Sequence, residues 1–179
     1  MKHRVKIFDI KQDDMIVDSD YMKIIVASFF RYNRQCKYTA IEFQRMDICA
    51  ISNDNIIEIE CKISKNDLKH ELSSPTKKLK HYNYKNNHST KYHVVPNSYY
   101  FAIPRELYKD KECVNIINSI NEKYGIIVVD DWLHIDIVKY AVKLHDKKIP
   151  ANIKDNISAR ISSDNIMQRI KHYKKKSEK

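Results

Sequence analysis

The sequence predicts an α/β domain: a mixed central sheet with helices on its flanks. Three observations carry this. Segments with strand-like alternation and segments with helical spacing follow one another as helix, three strands, helix pair, strand, helix, strand, helix. A length of 179 residues suits one compact domain, and an apolar content of 42% is enough to fill one core. No internal repeat or linker divides residues 1–179, so they read as a single domain, with a core at about 18–131 and a C-terminal helix and basic tail over 151–179.

Residues 2–10 alternate weakly and predict a short strand. Between 18 and 34, Tyr21, Ile24, Ile25, Ala27, Ser28 and Phe29 recur at helical spacing, with Asp18 or Ser19 available as a cap. Residues 36–43 predict a strand. Residues 46–52 alternate, Asn53-Asp54-Asn55 interrupts as a turn, and 56–63 is the clearest strand in the chain. Ser64 can cap a helix over 65–72, with Asp67 in its first turn. Pro75 suits the start of a second helix through Tyr84, and polar residues 85–95 predict a surface loop. Residues 98–103 predict a strand closed by Pro104, and 111–124 a helix with Gly125 as its stop. Residues 126–129 predict a buried strand. Trp132, after Asp130-Asp131, reads as a packed surface aromatic. Residues 151–172 predict an amphipathic helix, and Lys174 to Lys179 a frayed basic tail.

Lys and Arg number 33 against 23 Asp and Glu, a formal charge of +10. That surplus favours an anionic partner, nucleic acid or an acidic membrane surface. A lysine-rich solvated surface, or an AT-rich genome, accounts for the same count. No apolar run approaches the ~18 residues of a membrane span. Asp9, Lys11, Asp13 and Asp14 follow the basic start too soon for a signal-peptide core, so the expected location is cytoplasmic. Cys36, Cys49, Cys61 and Cys113 form no C-x-x-C pair and read as reduced and mostly buried. His88 to His93 lacks a matching cysteine pair, which argues against zinc. A single glycine excludes every glycine-rich phosphate loop. Phosphate chemistry here must use carboxylates, cations and metal.

Glu58, Glu60 and Lys62 alternate with Ile57, Ile59, Cys61 and Ile63. Successive side chains on a strand face opposite ways. One face is therefore apolar and must pack into the core; the other must meet solvent, a partner or a ligand. A two-residue turn at Asn53-Asp54 pairs Ser52 with Asn55. Counting back sets Cys49 opposite Glu58, Asp47 opposite Glu60 and Arg45 opposite Lys62, each pair sharing a face with Cβ atoms ~5 Å apart. A four-residue loop gives the same register, whereas an odd loop without a bulge turns Asp47 to the wrong face. Two opposed carboxylates repel, and a divalent cation between them removes that cost. Mg²⁺ (or Mn²⁺) takes oxygen ligands, usually one or two protein carboxylates plus waters and phosphate oxygens. It would polarise a phosphate and lower the pKa of an attacking water. Lys62 could orient that water or stabilise developing charge. A solvated strand face is the bland alternative for an E-x-K pattern.

With the hairpin in place, the sequence resembles the PD-(D/E)xK nuclease superfamily, and within it most closely the MmcB-like group of DNA-repair nucleases. The matching residues are Arg45-Met46-Asp47-Ile48, Ile59-Glu60-Cys61-Lys62-Ile63-Ser64, Asp67-Leu68, Lys80-His81-Tyr82, Tyr100-Phe101-Ala102-Ile103-Pro104 and Gly125-Ile126-Ile127-Val128-Val129-Asp130. They span roughly residues 40–131. The resemblance implies a restriction-endonuclease-like core. It makes Asp47 and Glu60 metal ligands, the Cys61 main-chain carbonyl a further ligand, and Lys62 the catalytic lysine. Many members add a glutamate from the first helix; the helix at 18–34 has none, only Asp18 and Asp20 at its start, and Glu42 is the nearest substitute. Asp67 suits either helix complementarity or a flanking role. Lys77, Lys78 and Lys80, with His81 and Tyr82, could contact phosphates and stack a base, or form a solvated helix face. The tail (Lys171, Lys174, Lys175, Lys176) could add nonspecific affinity for DNA.

The expected function is therefore a Mg²⁺-dependent nuclease acting on DNA, in repair, phage or mobile-element biology, with dimerisation common among such enzymes. Two alternatives stand beside it: a nucleic-acid-binding module without hydrolysis on the same fold, and a host-defence or mobile-element interaction protein.

Overall fold

The computed structural model describes residues 2–4, 18–90, 94–130 and 134–177, and only the backbone of 2–4, 169 and 171–177. The expectations for residues 5–10, His93, Asp131, Trp132 and the tail lysines' side chains lie outside the described residues.

Among the described residues, seven strands form one mixed sheet: β1 (Lys2–Arg4), β2 (Tyr38–Phe43), β3 (Met46–Ser52), β4 (Asn55–Cys61), β5 (Ser98–Pro104), β6 (Gly125–Val129) and β7 (His134–Lys139). Their spatial order is β1-β7-β6-β5-β4-β3-β2. β2, β3 and β4 form an antiparallel meander, β4, β5 and β6 run parallel, and β7 and β1 complete the far edge antiparallel. The helices are α1 (Ser19–Ser28), α2 (Lys65–Ser73), α3 (Pro75–Lys85), α4 (Arg105–Lys109), α5 (Lys111–Ile120) and α6 (Ala151–Ser177), with a π-helical turn at Phe29–Asn33 extending α1. This is the α/β class the sequence predicts. No helix among the described residues is long and apolar enough to cross a membrane.

Local chemistry sets the boundaries. Asp18 Oδ1 accepts the Tyr21 N–H at 2.7 Å, and Ser64 Oγ accepts the Asp67 N–H at 3.1 Å, capping α1 and α2. Pro75 occupies the first turn of α3, where its missing N–H costs nothing. Asn53 and Asp54 adopt φ of 47° and 62°, and the β3–β4 hairpin pairs Ser52 with Asn55 as expected.

Three packed clusters fill the two sides. Met22, Ile25, Val26, Phe29 and Phe30 cover Ile48, Ile59 and Tyr100 on one face. On the other, Leu68, Tyr84, Cys113 and Ile117 pack against Tyr99, Phe101 and Ile126, while Ile153 and Ile157 of α6 cover Ala40, Cys49 and Ile51. All four cysteines are buried and unbonded, as expected.

Several expectations need correction. Helix α5 ends at Ile120, and Gly125 opens β6 instead of stopping a helix. A Cβ at Gly125 would lie 2.3 Å from the Tyr100 ring and 2.7 Å from the Ala141 nitrogen, so close approach explains this glycine. The segment expected as a surface loop, 85–95, holds the last residue of α3 and buried Val95. β7 and α4 are elements the sequence reading did not assign.

Candidate functional site

β4 is an interior strand, and its two faces are both buried. Ile59 packs under α1 with no exposure, and Glu58, Glu60 and Lys62 retain 0%, 3% and 8%. The expectation that the charged face meets solvent, a partner or a ligand needs revision. It meets helices α2 and α3, which bring their own charges to it.

The hairpin register runs Cys49↔Glu58 and Ile48↔Ile59 and, continued by one residue, sets Asp47 opposite Glu60. Asp47 Oδ2 accepts the Cys61 N–H at 2.8 Å. Lys62 Nζ lies 3.2 Å from Glu60 Oε1 and 2.6 Å from Glu71 Oε1. Lys77 also binds Glu60 Oε1, and it approaches Glu71 at 3.3 Å. Lys80 spans Glu58 Oε1 (2.6 Å) and Glu60 Oε2 (2.9 Å). Behind these, Glu71 Oε2 meets His81 Nε2 at 2.9 Å, and His81 Nδ1 meets the Tyr124 hydroxyl at 2.9 Å. The Tyr84 hydroxyl donates to Glu58 Oε2 at 2.5 Å.

Isolated buried charges are expensive, and Glu58, Glu60 and Glu71 persist here because each has an ammonium group at hydrogen-bond distance. Burial pushes the Glu60 carboxyl up, but the ammonium groups of Lys80, Lys62 and Lys77 outweigh it and hold Glu60 well below the usual carboxylate range. Glu71 is likewise held down, to about 2: burial opposes this, and His81 and Lys62 outweigh it. Asp47 goes the other way. Burial and the neighbouring Glu60 charge raise its carboxyl above the usual value, against the Cys61 N–H and Lys23. Its side chain keeps 26% exposure, as does that of Lys77, so these two form the solvent-facing side of the cluster.

Asp47, Glu60 and Lys62 thus come together as the sequence predicts. Lys62 does not face Arg45: β4 ends at Cys61, the Lys62 N–H donates to Ala102 O (2.9 Å), and Arg45 sits in the β2–β3 turn. At Cys61, it is the N–H that reaches Asp47. Glu42 stands opposite Asp47 in the β2–β3 register, but its φ of 54° breaks the strand's alternation. Ala40 and Phe43 consequently fall in the same cluster, and the Glu42 side chain turns outward with 62% exposure. Lys23 of α1 links it to the site, 3.0 Å from Glu42 and 3.9 Å from Asp47. Asp18 is a cap and Asp20 an exposed ion-pair partner of Lys23. Asp67 is exposed in the first turn of α2, which suits helix complementarity.

The group Lys77, Lys78, Lys80 and Tyr82 is split by the helix period. Lys77 and Lys80 turn inward onto Glu60. Lys78 and Tyr82 are exposed, and the Tyr82 ring lies 6.5 Å from that of His88. Glu71 and the buried part of His81 were missed by sequence reasoning. The available signal was Leu68: Glu71, three residues on, shares its inward helix face.

Asp47 and Glu60 offer oxygen donors of the kind Mg²⁺ and Mn²⁺ prefer, and two carboxylates are within what Mg²⁺ ordinarily takes from a protein. Among the described residues, no group of three or more His, Cys, Asp or Glu is placed to hold a metal. Both Glu60 oxygens are already engaged, Oε1 by Lys62 and Lys77 and Oε2 by Lys80.

No protein-family model matches the chain, and no curated protein matches it. Among solved structures, a protein of unknown function from Silicibacter pomeroyi has a similar fold, with a TM-score of 0.56 and 18% identity over 88% of this chain and 94% of that one. At that identity the likeness speaks for the fold alone.

Proposed function

We propose that the chain is a divalent-metal-dependent nuclease of the PD-(D/E)xK type, hydrolysing phosphodiester bonds of nucleic acid, with DNA as the first substrate to test and the cytoplasm as its place of work. The observation that carries the proposal is the convergence of Asp47, Glu60 and Lys62 from the two strands of one hairpin, open to solvent on the Asp47 side. Asp47 and Glu60 would hold Mg²⁺ or Mn²⁺, which when bound supplies Lewis acidity and a lowered water pKa. Lys62 contributes a fixed ammonium that can hydrogen-bond the attacking water or the charge gathering on phosphate oxygens. Glu71 and Glu60 hold that ammonium in position.

The test is cleavage of single- and double-stranded DNA and RNA with Mg²⁺ or Mn²⁺, comparing wild type with Lys62→Met and Asp47→Asn, each verified as folded by circular dichroism. Loss of cleavage in both variants is expected, by at least ~10². Activity that persists in both defeats the proposal.

A second reading has its own support. Three ammonium groups already neutralise Glu60, and Glu42 turns away instead of adding a third acid. A module that binds nucleic acid without cutting it would show salt-dependent affinity and no cleavage with any divalent cation.

A further inference from the structure

Beside the cluster lies a cleft of about 380 Å³, lined by Arg45, Thr76, Lys77, Leu79, Lys80, Asn83 and Thr90. The lining holds three cations and no carboxylate. Lys77 and Lys80 are committed to Glu58, Glu60 and Glu71. Arg45 is different: it is exposed, and no ion-pair partner for it exists among the described residues. Its backbone is also costly. Gln44 and Arg45 form the β2–β3 turn with φ of 50° and 66°, left-handed conformations that a side chain with a Cβ disfavours and that glycine adopts freely. At the β3–β4 turn the same conformations fall to Asn53 and Asp54, residue types suited to them. A strained, exposed arginine with no ion-pair partner among the described residues, at the edge of this cleft, points to an anionic ligand there.

We propose that Arg45 binds a backbone phosphate of a nucleic-acid strand running through this cleft toward Asp47 and Glu60. The inference rests on the proposal that this site acts on nucleic acid, and it adds the strand's path and one contact residue. A planar, permanently charged fork suits a phosphate. Lys77 and Lys80, balanced by Glu58, Glu60 and Glu71, line the path as hydrogen-bond donors without net charge, Thr76, Asn83 and Thr90 add neutral polar groups, and exposed Leu79 gives an apolar edge.

Arg45→Gly separates a ligand role from a structural one, because it removes the charge and relieves the backbone together. Binding of a fluorescein-labelled DNA duplex is measured in EDTA, where hydrolysis plays no part, across a salt series. The expected result is a salt slope smaller by about one, and affinity weaker by about eightfold at ~0.1 M salt, the worth of one released counterion. The variant's Tm should rise by about 2–4 °C, and Arg45→Lys should keep the salt slope. Unchanged binding in Arg45→Gly overturns this inference and leaves the nuclease proposal standing if cleavage persists. Weakened binding in a wild-type background that never cleaves supports the cleft and removes the hydrolysis. A fall in Tm that accompanies the affinity loss overturns the inference, as does competition by micromolar inorganic pyrophosphate, which would assign the cleft to a free phosphate compound.

Discussion

Ile59 and Glu60 are neighbours on one strand and equally hidden from water, yet their surroundings differ in kind. Around Ile59 lie Met22, Ile25, Val26 and Phe29, held by loss of apolar surface. Around Glu60 lie Lys62, Lys77 and Lys80, held by charge at hydrogen-bond range. The first environment stabilises the fold with little demand on exact geometry. The second stabilises it only while every member is present, because dehydrating charges costs about as much as pairing them returns. The same sheet thus has a side that supplies stability and a side whose net contribution is small and whose value must lie elsewhere.

The sharpest way to break this contrast is Glu60→Gln, expected to destabilise by roughly 3–5 kcal/mol because it leaves three ammonium groups to share only Glu58 and Glu71 as counter-charges. Its pH signature follows from the depressed carboxyl. Ionised Glu60 stabilises fully above its ordinary 4.5, and that contribution fades as pH falls through its lower folded value. Urea denaturation should therefore show a wild-type advantage that is constant above pH 4.5 and shrinks below it. Ile59→Ala should cost about 2–5 kcal/mol by the same measurement, with no change in the gap across pH or salt. A pH-dependent gap for Ile59→Ala would erase the distinction.

Gly125→Ala, on the apolar side, should cost about 1–3 kcal/mol, since the new methyl meets the Tyr100 ring and the Ala141 backbone. The smallest effect has the opposite sign. Asp47 is raised by burial and by Glu60, so its ionised form weighs against folding at neutral pH. Asp47→Asn should raise the Tm slightly at pH 7, with the gain vanishing below the ordinary 3.8, where the wild-type carboxyl is protonated in both states. A lower Tm at pH 7 would mean that Lys23 and the Cys61 N–H matter more at Asp47 than its like-charged neighbour does.

What could be read from the chain was local. The Asn53-Asp54 turn fixes the β3–β4 register by counting, and the caps at Asp18 and Ser64 need only a few residues to operate. The strand β7 was missed although Ile135 and Ile137 alternate there, because the sequence between it and its antiparallel partner β6 carries no hairpin signal. Lys77 and Lys80 were misjudged for a similar reason. A lysine on a short helix looks solvated until the strand beneath is known to carry Glu58 and Glu60, from 17 to 22 positions away. Glu71 shows the same limit: one helical turn past Leu68, it occupies a place that an apolar residue would ordinarily fill.

The kink at Glu42 has a consequence for self-association. β2 is an outermost strand of the sheet, and an outermost strand with regular pleating is a template on which other chains add strands and begin to aggregate. A left-handed residue near its end interrupts the row of evenly spaced hydrogen-bonding groups, and α1 and α6 overhang it on either side. Two copies docking edge to edge along β2 would find a broken ladder with a carboxylate projecting from the break.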